Sequence, residues 1–136
     1  MLAIVDANVL VAATDANDPY HRRCLDELTR PDLELAIPSL VITEVCYFLD
    51  KRFGPAIEAR FLRGLQAFDV LAPEPEEWPA IADLVERYSS FPLGGTDASV
   101  AVLAERMDTD VIITLDRRHF GALKMPSGRT FTLLPE

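Results

Sequence analysis

A chain of 136 residues with 49% hydrophobic and 26% charged residues has the size and composition of one globular domain, not of a disordered or fibrous protein. Its net charge of −9 argues against a general nucleic-acid coat protein, which relies on clustered Lys and Arg. No apolar run approaches the ~20 residues needed to span a bilayer. Asp6 stands where a signal peptide is apolar and no basic segment precedes it, so export is not expected and a cytoplasmic setting is. The two cysteines, Cys24 and Cys46, form no CxxC and have no histidine pair nearby. They read as reduced thiols rather than zinc ligands.

Taken in chain order, Leu2–Val5 reads as a short buried strand and Ala7–Ala13 as a helix. TDANDPY breaks that helix: Pro19 suits the first turn of the next one and Asp18 its N-cap, so a second helix is expected over His21–Leu28. LELAIPSL is a second strand closed by Pro38, and Ser39–Phe53 is a long helix ended by Gly54. Ala56–Leu65 is a further helix, and AFDVLAP alternates like a third strand. Pro73–Tyr88 is expected to be helical, with Glu74, Glu76 and Glu77 favouring its N-terminal dipole. SSFPLGG is loop, Thr96–Met107 helix, DVIIT a fourth strand, DRRHFGALK a short helical turn with loop, and RTFTLL a fifth strand. Strands alternating with helices predict an α/β fold, a parallel sheet wrapped on both faces. In such sheets ligands bind beyond the carboxyl ends of the strands, where strand order reverses.

Four acids stand out at such places, and each also has an ordinary explanation. Asp6 follows the first strand directly, either as a helix N-cap or as a ligand; Asn8 suits a cap or a supporting donor. On a helical wheel Ile42, Val45, Leu49 and Phe53 face the core and Ser39, Thr43 and Asp50 face water. Glu44 falls at the border, in one row with Leu40 and Phe48, as a cleft rim or a solvated glutamate. Asp97 opens a helix among the small residues Gly94, Gly95, Ala98 and Ser99, which permit close approach of a ligand or simply close packing. Asp116 lies two residues past VIIT, with Thr114 at the strand end. If the first and fourth strands are neighbours, the acids crowd one end of the sheet, where mutual repulsion raises some of their pKa values. A hard divalent cation removes that conflict, and carboxylates without histidine or thiol point to Mg²⁺ or Mn²⁺, one or two ions.

IVDANVL, PSLVITEV, GTDAS and VIITLDRRHF, in this order and over essentially the whole length, resemble the motifs of PIN domains, more narrowly of the VapC-type toxin ribonucleases of bacterial and archaeal VapBC systems. The resemblance places the family acids at Asp6, Glu44, Asp97 and Asp116, with Thr114 in the closing segment. It implies one domain over residues 1–136, three α/β/α layers around a parallel five-stranded sheet of order 3-2-1-4-5, and metal-dependent endonuclease activity on RNA. It also implies 5′-phosphate and 3′-hydroxyl products, a homodimer, and neutralisation by a cognate VapB-type antitoxin laid over the acidic cleft.

On this reading Asp6, Asp97 and Asp116 hold the metal, and Glu44 acts through water or takes a proton. Asn8 and Thr114 orient the ligands, and a metal-activated water attacks the phosphodiester. Arg117 and Arg118, directly after Asp116, are either an RNA phosphate grip or a solvated pair. His119 reads as packing or capping rather than a general base, and His21 as a helix surface residue. The helix Ser39–Phe53 and the segment Ala56–Phe68 carry more apolar surface than one sheet face can cover, in keeping with a homodimer. A non-catalytic PIN-like RNA- or protein-binding module is the main alternative. A haloacid-dehalogenase-like phosphatase fits less well, because Asn8 replaces its second acid and no suitable lysine follows. A receiver-like domain requires an aspartate ending the third strand, whereas Asp69 lies within it.

Overall fold

The computed structural model describes residues 1–91 and 93–136. Five strands, β1 (Leu2–Val5), β2 (Glu34–Pro38), β3 (Asp69–Leu71), β4 (Val111–Ile113) and β5 (Thr132–Leu134), form one all-parallel sheet ordered β3-β2-β1-β4-β5. Among the described residues seven helices pack around it: α1 (Ala7–Thr14), α2 (His21–Leu28), α3 (Ser39–Phe53), α4 (Pro55–Gly64), α5 (Glu77–Arg87), α6 (Gly95–Arg106) and α7 (Arg117–Ala122). This is the layered α/β/α arrangement expected from the alternation of strands and helices. A 3-10 turn over Leu65–Ala67 takes the residues between α4 and β3. The loop expected over SSFPLGG includes Pro92, which lies outside the described residues.

β1 is central and flanked by helices on both faces, so Ala3, Ile4 and Val5 are fully buried. Ile112 and Ile113 of β4 and Ile37 of β2 continue that apolar layer. Each such side chain contributes about 1.5–3 kcal/mol by leaving water. α6 packs against β1, β2, α3 and α5, which buries Ala98 to Leu103 on every side. Its small residues let it approach the sheet closely, and they leave it without an amphipathic stripe. His21 is half-buried, with Nδ1 2.9 Å from the Ala12 carbonyl oxygen, so it ties α2 to α1 instead of lying on the surface.

Several expected boundaries shift for local reasons. α5 begins at Glu77, not Pro73: Pro75 disfavours helical geometry at Glu74, and the Glu77 carboxylate folds back to accept the Glu74 N–H at 2.7 Å. Asp18 accepts the Tyr20 N–H at 2.8 Å, so it caps the turn leading into α2 while Tyr20 occupies the N-cap position. In α3 the buried row is Val41, Val45 and Leu49, one residue back from the expected Ile42 at its start. Phe53 is 40% exposed. A 15-residue helix is roughly 22 Å long, longer than the roughly 17 Å of the five-residue β2. α3 ends where Gly54 adopts φ 86° and ψ −177°, a conformation open essentially only to glycine. Among the described residues no helix is long and apolar enough to cross a membrane.

Candidate active site

The chain crosses from β3 to β4 on the far side of β1, so strand order reverses between β1 and β4. The carboxyl ends of these two strands open on a cleft of about 440 Å³. Asp6, Asn8, Glu44, Asp97 and Asp116 all line it, with Phe48, Arg52, Asp18 and His119. The four acids expected to meet therefore face one space, although they come from four separate parts of the chain.

Asp6 continues the sheet, its N–H donating to the Ile113 carbonyl at 3.0 Å. It then caps α1: Oδ1 accepts the Ala7 N–H at 2.8 Å. Oδ2 accepts the Thr114 hydroxyl at 2.8 Å and the Asn8 amide at 3.2 Å. The N-cap expected as one reading of Asp6 is made, and the same side chain lines the cleft. Asn8 in turn accepts the Leu115 N–H at 3.0 Å, and the Thr114 oxygen accepts the Asp116 N–H at 2.9 Å. Asn8 and Thr114 thus tie the segment after β4 to Asp6. Asp116 repeats the capping device at α7, where Oδ1 accepts the His119 N–H at 2.9 Å. Asp97 sits in the first turn of α6, and Glu44 stands exposed on the rim of α3.

Burial dominates the electrostatics. Asp6 is 4% exposed, and its carboxyl is raised from 3.8 to about 7 by desolvation, helped by the charges of Asp97 and Glu44 and opposed by its Thr114 and Ala7 hydrogen bonds. Asp97 is raised to about 6, first by desolvation and then by the Asp116 charge, with His119 opposing and Glu44 adding. Such a site carries a standing excess of negative charge that a cation relieves. Ligand atoms of Asp97, Asp116 and His119 all lie within 4.8 Å of one another, close to the ~4.2 Å between opposite oxygens of one Mg²⁺. The donors thus fit a hard divalent ion. Asp6 lies outside this tight group, on the adjoining wall.

Three titratable lining residues, His119, Arg52 and Asp18, lie outside the set expected from the sequence. Of the two roles expected of His119, packing is met, its ring lying 5.0 Å from that of Phe91, while the cap is Asp116, which accepts the His119 N–H. Yet its Nδ1 is also 2.6 Å from Asp116 Oδ2, so the premise of acids without a nearby histidine does not hold. The D-x-x-H spacing on a helix start was the available signal. Arg52 extends the row Leu40, Glu44, Phe48 by one more helical step, its guanidinium 5.8 Å from the Phe48 ring and 3.9 Å from Asp15. Asp18 enters through its turn. Arg117 instead donates to the Pro135 carbonyl, and Arg118 lies 5.6 Å from the Phe91 ring centre.

A parallel 3-2-1-4-5 sheet with acids gathered at the β1/β4 crossover defines a PIN-type domain, and the family model for the PIN domain matches residues 3–124. The chain belongs to the PIN domain family. It is similar to Ribonuclease VapC26 of Mycobacterium tuberculosis, with 34% identity over 134 residues that cover 97% of this chain and 99% of that one. Among solved structures it resembles Mycobacterium tuberculosis VapC20, described as a sarcin-ricin loop cleaving toxin, with a TM-score of 0.78 at 14% identity over 90% of this chain and 95% of that one. It also resembles a chain of VapBC2 from Rickettsia felis, solved bound to a promoter DNA fragment, with a TM-score of 0.72 at 18% identity over 98% of each chain. At these identities the two solved structures speak for the fold alone.

Proposed function

We propose that the protein is a metal-dependent endoribonuclease, the toxin of a toxin–antitoxin pair, hydrolysing RNA phosphodiester bonds in the cleft of Asp6, Glu44, Asp97 and Asp116. The observation that carries this reading is the convergence of those acids on one cleft of a PIN domain, two of them forced above the ordinary carboxylate range. Similarity to a ribonuclease along nearly the whole chain supports the same reaction class.

Asp97 and Asp116 would hold Mg²⁺ or Mn²⁺, with Asp6 closing the adjoining side. When bound, such an ion neutralises charge at the phosphate and makes an attacking water more acidic. Asp6 is kept from turning away by Thr114 and Asn8, so its outward lone pairs stay aimed at the cleft. Glu44, exposed on the rim of the cleft, would receive a proton from water entering there. Arg52 is the lining cation that can grip a phosphate flanking the scissile bond. Arg118 is placed beside Phe91 for a second contact, while Arg117 is directed toward the chain end. The protein would act as a homodimer, supported by exposed Tyr47, Phe53 and Leu62 on α3 and α4. A small VapB-type antitoxin would restrain it, as suggested by the toxin–antitoxin assemblies of similar fold.

The test is incubation of total bacterial RNA with the purified protein in Mg²⁺, Mn²⁺ or EDTA. Discrete fragments are expected with either metal, and none with EDTA or with Asp6→Asn. Cleavage by Asp6→Asn at the wild-type rate would remove the site assignment. Metal binding without cleavage of any RNA would make the protein a non-catalytic PIN module.

A further inference from the structure

Both oxygens of Asp116 are engaged by a single residue. His119 donates its backbone N–H to Oδ1 at 2.9 Å and sets its ring Nδ1 2.6 Å from Oδ2. An ionised carboxylate only accepts, so the short ring contact requires the proton to be on Nδ1. The ring itself is steadied by Phe91, whose centre is 5.0 Å away. A carboxylate at the start of a short helix is otherwise free to rotate about its last torsion. Here the two bonds fix the plane of the group, and one Asp116 oxygen lies within 4.8 Å of one Asp97 oxygen.

From this geometry we infer that His119 is a positioning residue of the cation site: it holds the Asp116 carboxylate in its ligating orientation through Nδ1, and it is not itself a ligand of the ion. The inference rests on the reading of the cleft as a divalent cation site. Histidine and carboxylate partners standing behind a metal ligand commonly change metal affinity 10–100-fold. The spacing of Asp97, Asp116 and His119 alone would equally suit a three-donor site with imidazole nitrogen on the metal. The Asp116 clamp removes Nδ1 from the donor set, and coordination through Nε2 is the arrangement that the test below separates from positioning.

The nitrogens of two amide side chains mimic the two ring nitrogens separately. An asparagine amide reaches about where Nδ1 lies, a glutamine amide about where Nε2 lies. Mn²⁺ is titrated calorimetrically into the metal-free wild type and into His119→Ala, His119→Asn and His119→Gln, with unfolding curves confirming that each is folded. The expected result is a dissociation constant raised roughly tenfold in the alanine and glutamine variants and restored close to wild type by asparagine. The pulsed EPR spectrum of the bound Mn²⁺ should lack strong ¹⁴N modulation from a coordinated imidazole in the wild type. Directly coordinated ¹⁴N in the wild type, rescue by glutamine but not asparagine, or unchanged affinity in all three variants would overturn the inference. Absence of Mn²⁺ binding by the wild type would instead remove the cation-site reading beneath it.

Discussion

Replacing Asp6 by asparagine should change how the stability of the metal-free protein depends on pH. Asp6 is 4% exposed, so solvent does little to screen it, and its carboxyl titrates near 7 instead of 3.8, chiefly through desolvation. At about 1.4 kcal/mol per tenfold change in proton affinity, ionised Asp6 costs the folded state about 4 kcal/mol. Between the two pKa values the folded state keeps a proton that the unfolded chain has lost. Stability therefore falls as pH rises through this window, by about 3 kcal/mol between pH 5 and pH 8 from this group. The Asp6→Asn variant keeps the acceptor for the Ala7 N–H but presents an amide to Thr114 and Asn8, at a cost of about 1 kcal/mol. It should thus be about equal to wild type at pH 5 and about 3 kcal/mol more stable at pH 8. Urea unfolding in the presence of chelator, at half-unit steps from pH 4 to pH 8, measures this. Asp97, raised to about 6, adds a slope of the same sign to both proteins, so the difference between the curves reports Asp6 together with its charge coupling to Asp97. Parallel curves would refute the claim that burial strains this carboxylate.

Thr114 links Asp6 to the Asp116 N–H and is 1% exposed. Thr114→Val should lower stability by about 1–3 kcal/mol and move the Asp6 titration further upward, read from the same pH series. Arg52→Ala should raise KM with kcat little changed, and should reduce the slope of log Kd against log salt by about 0.7 for a fluorescein-labelled single-stranded oligoribonucleotide. An unaltered slope would return Arg52 to a surface role beside Asp15. Asp97→Asn should abolish RNA cleavage while leaving the unfolding curve of the metal-free protein at pH 7.5 unchanged or raised, since repulsion with Asp116 is relieved.

Much of this architecture can be read from local chemistry. β1, α2 and α3 fall where a buried apolar run, the Asp18-Pro19 turn and the Pro38 and Gly54 punctuation place them. The four acids stand out by their positions at strand ends and on helices, whereas the strand order rests on the resemblance of ordered motifs, since no periodicity specifies which strands pair. What escaped was tertiary. Phe53, the last residue of α3, stays exposed although the wheel points it inward. α6 is enclosed on all sides and shows no stripe to read. His119 looks like an ordinary first-turn residue because its backbone N–H is capped by Asp116; only the three-dimensional path of the ring brings it to Asp116 Oδ2. Arg52 was one step along a row already recognised, but a charge two turns from Glu44 has no sequence mark that separates a cleft wall from a solvated surface.

The central claim is that these remote carboxylates share one divalent cation, and a crystal grown with Mn²⁺ tests it most directly. The anomalous difference map should show a peak between Asp97 and Asp116, on the side of the cleft facing Asp6. A cleft without anomalous signal at saturating Mn²⁺, or a peak bound elsewhere on the protein, would contradict it.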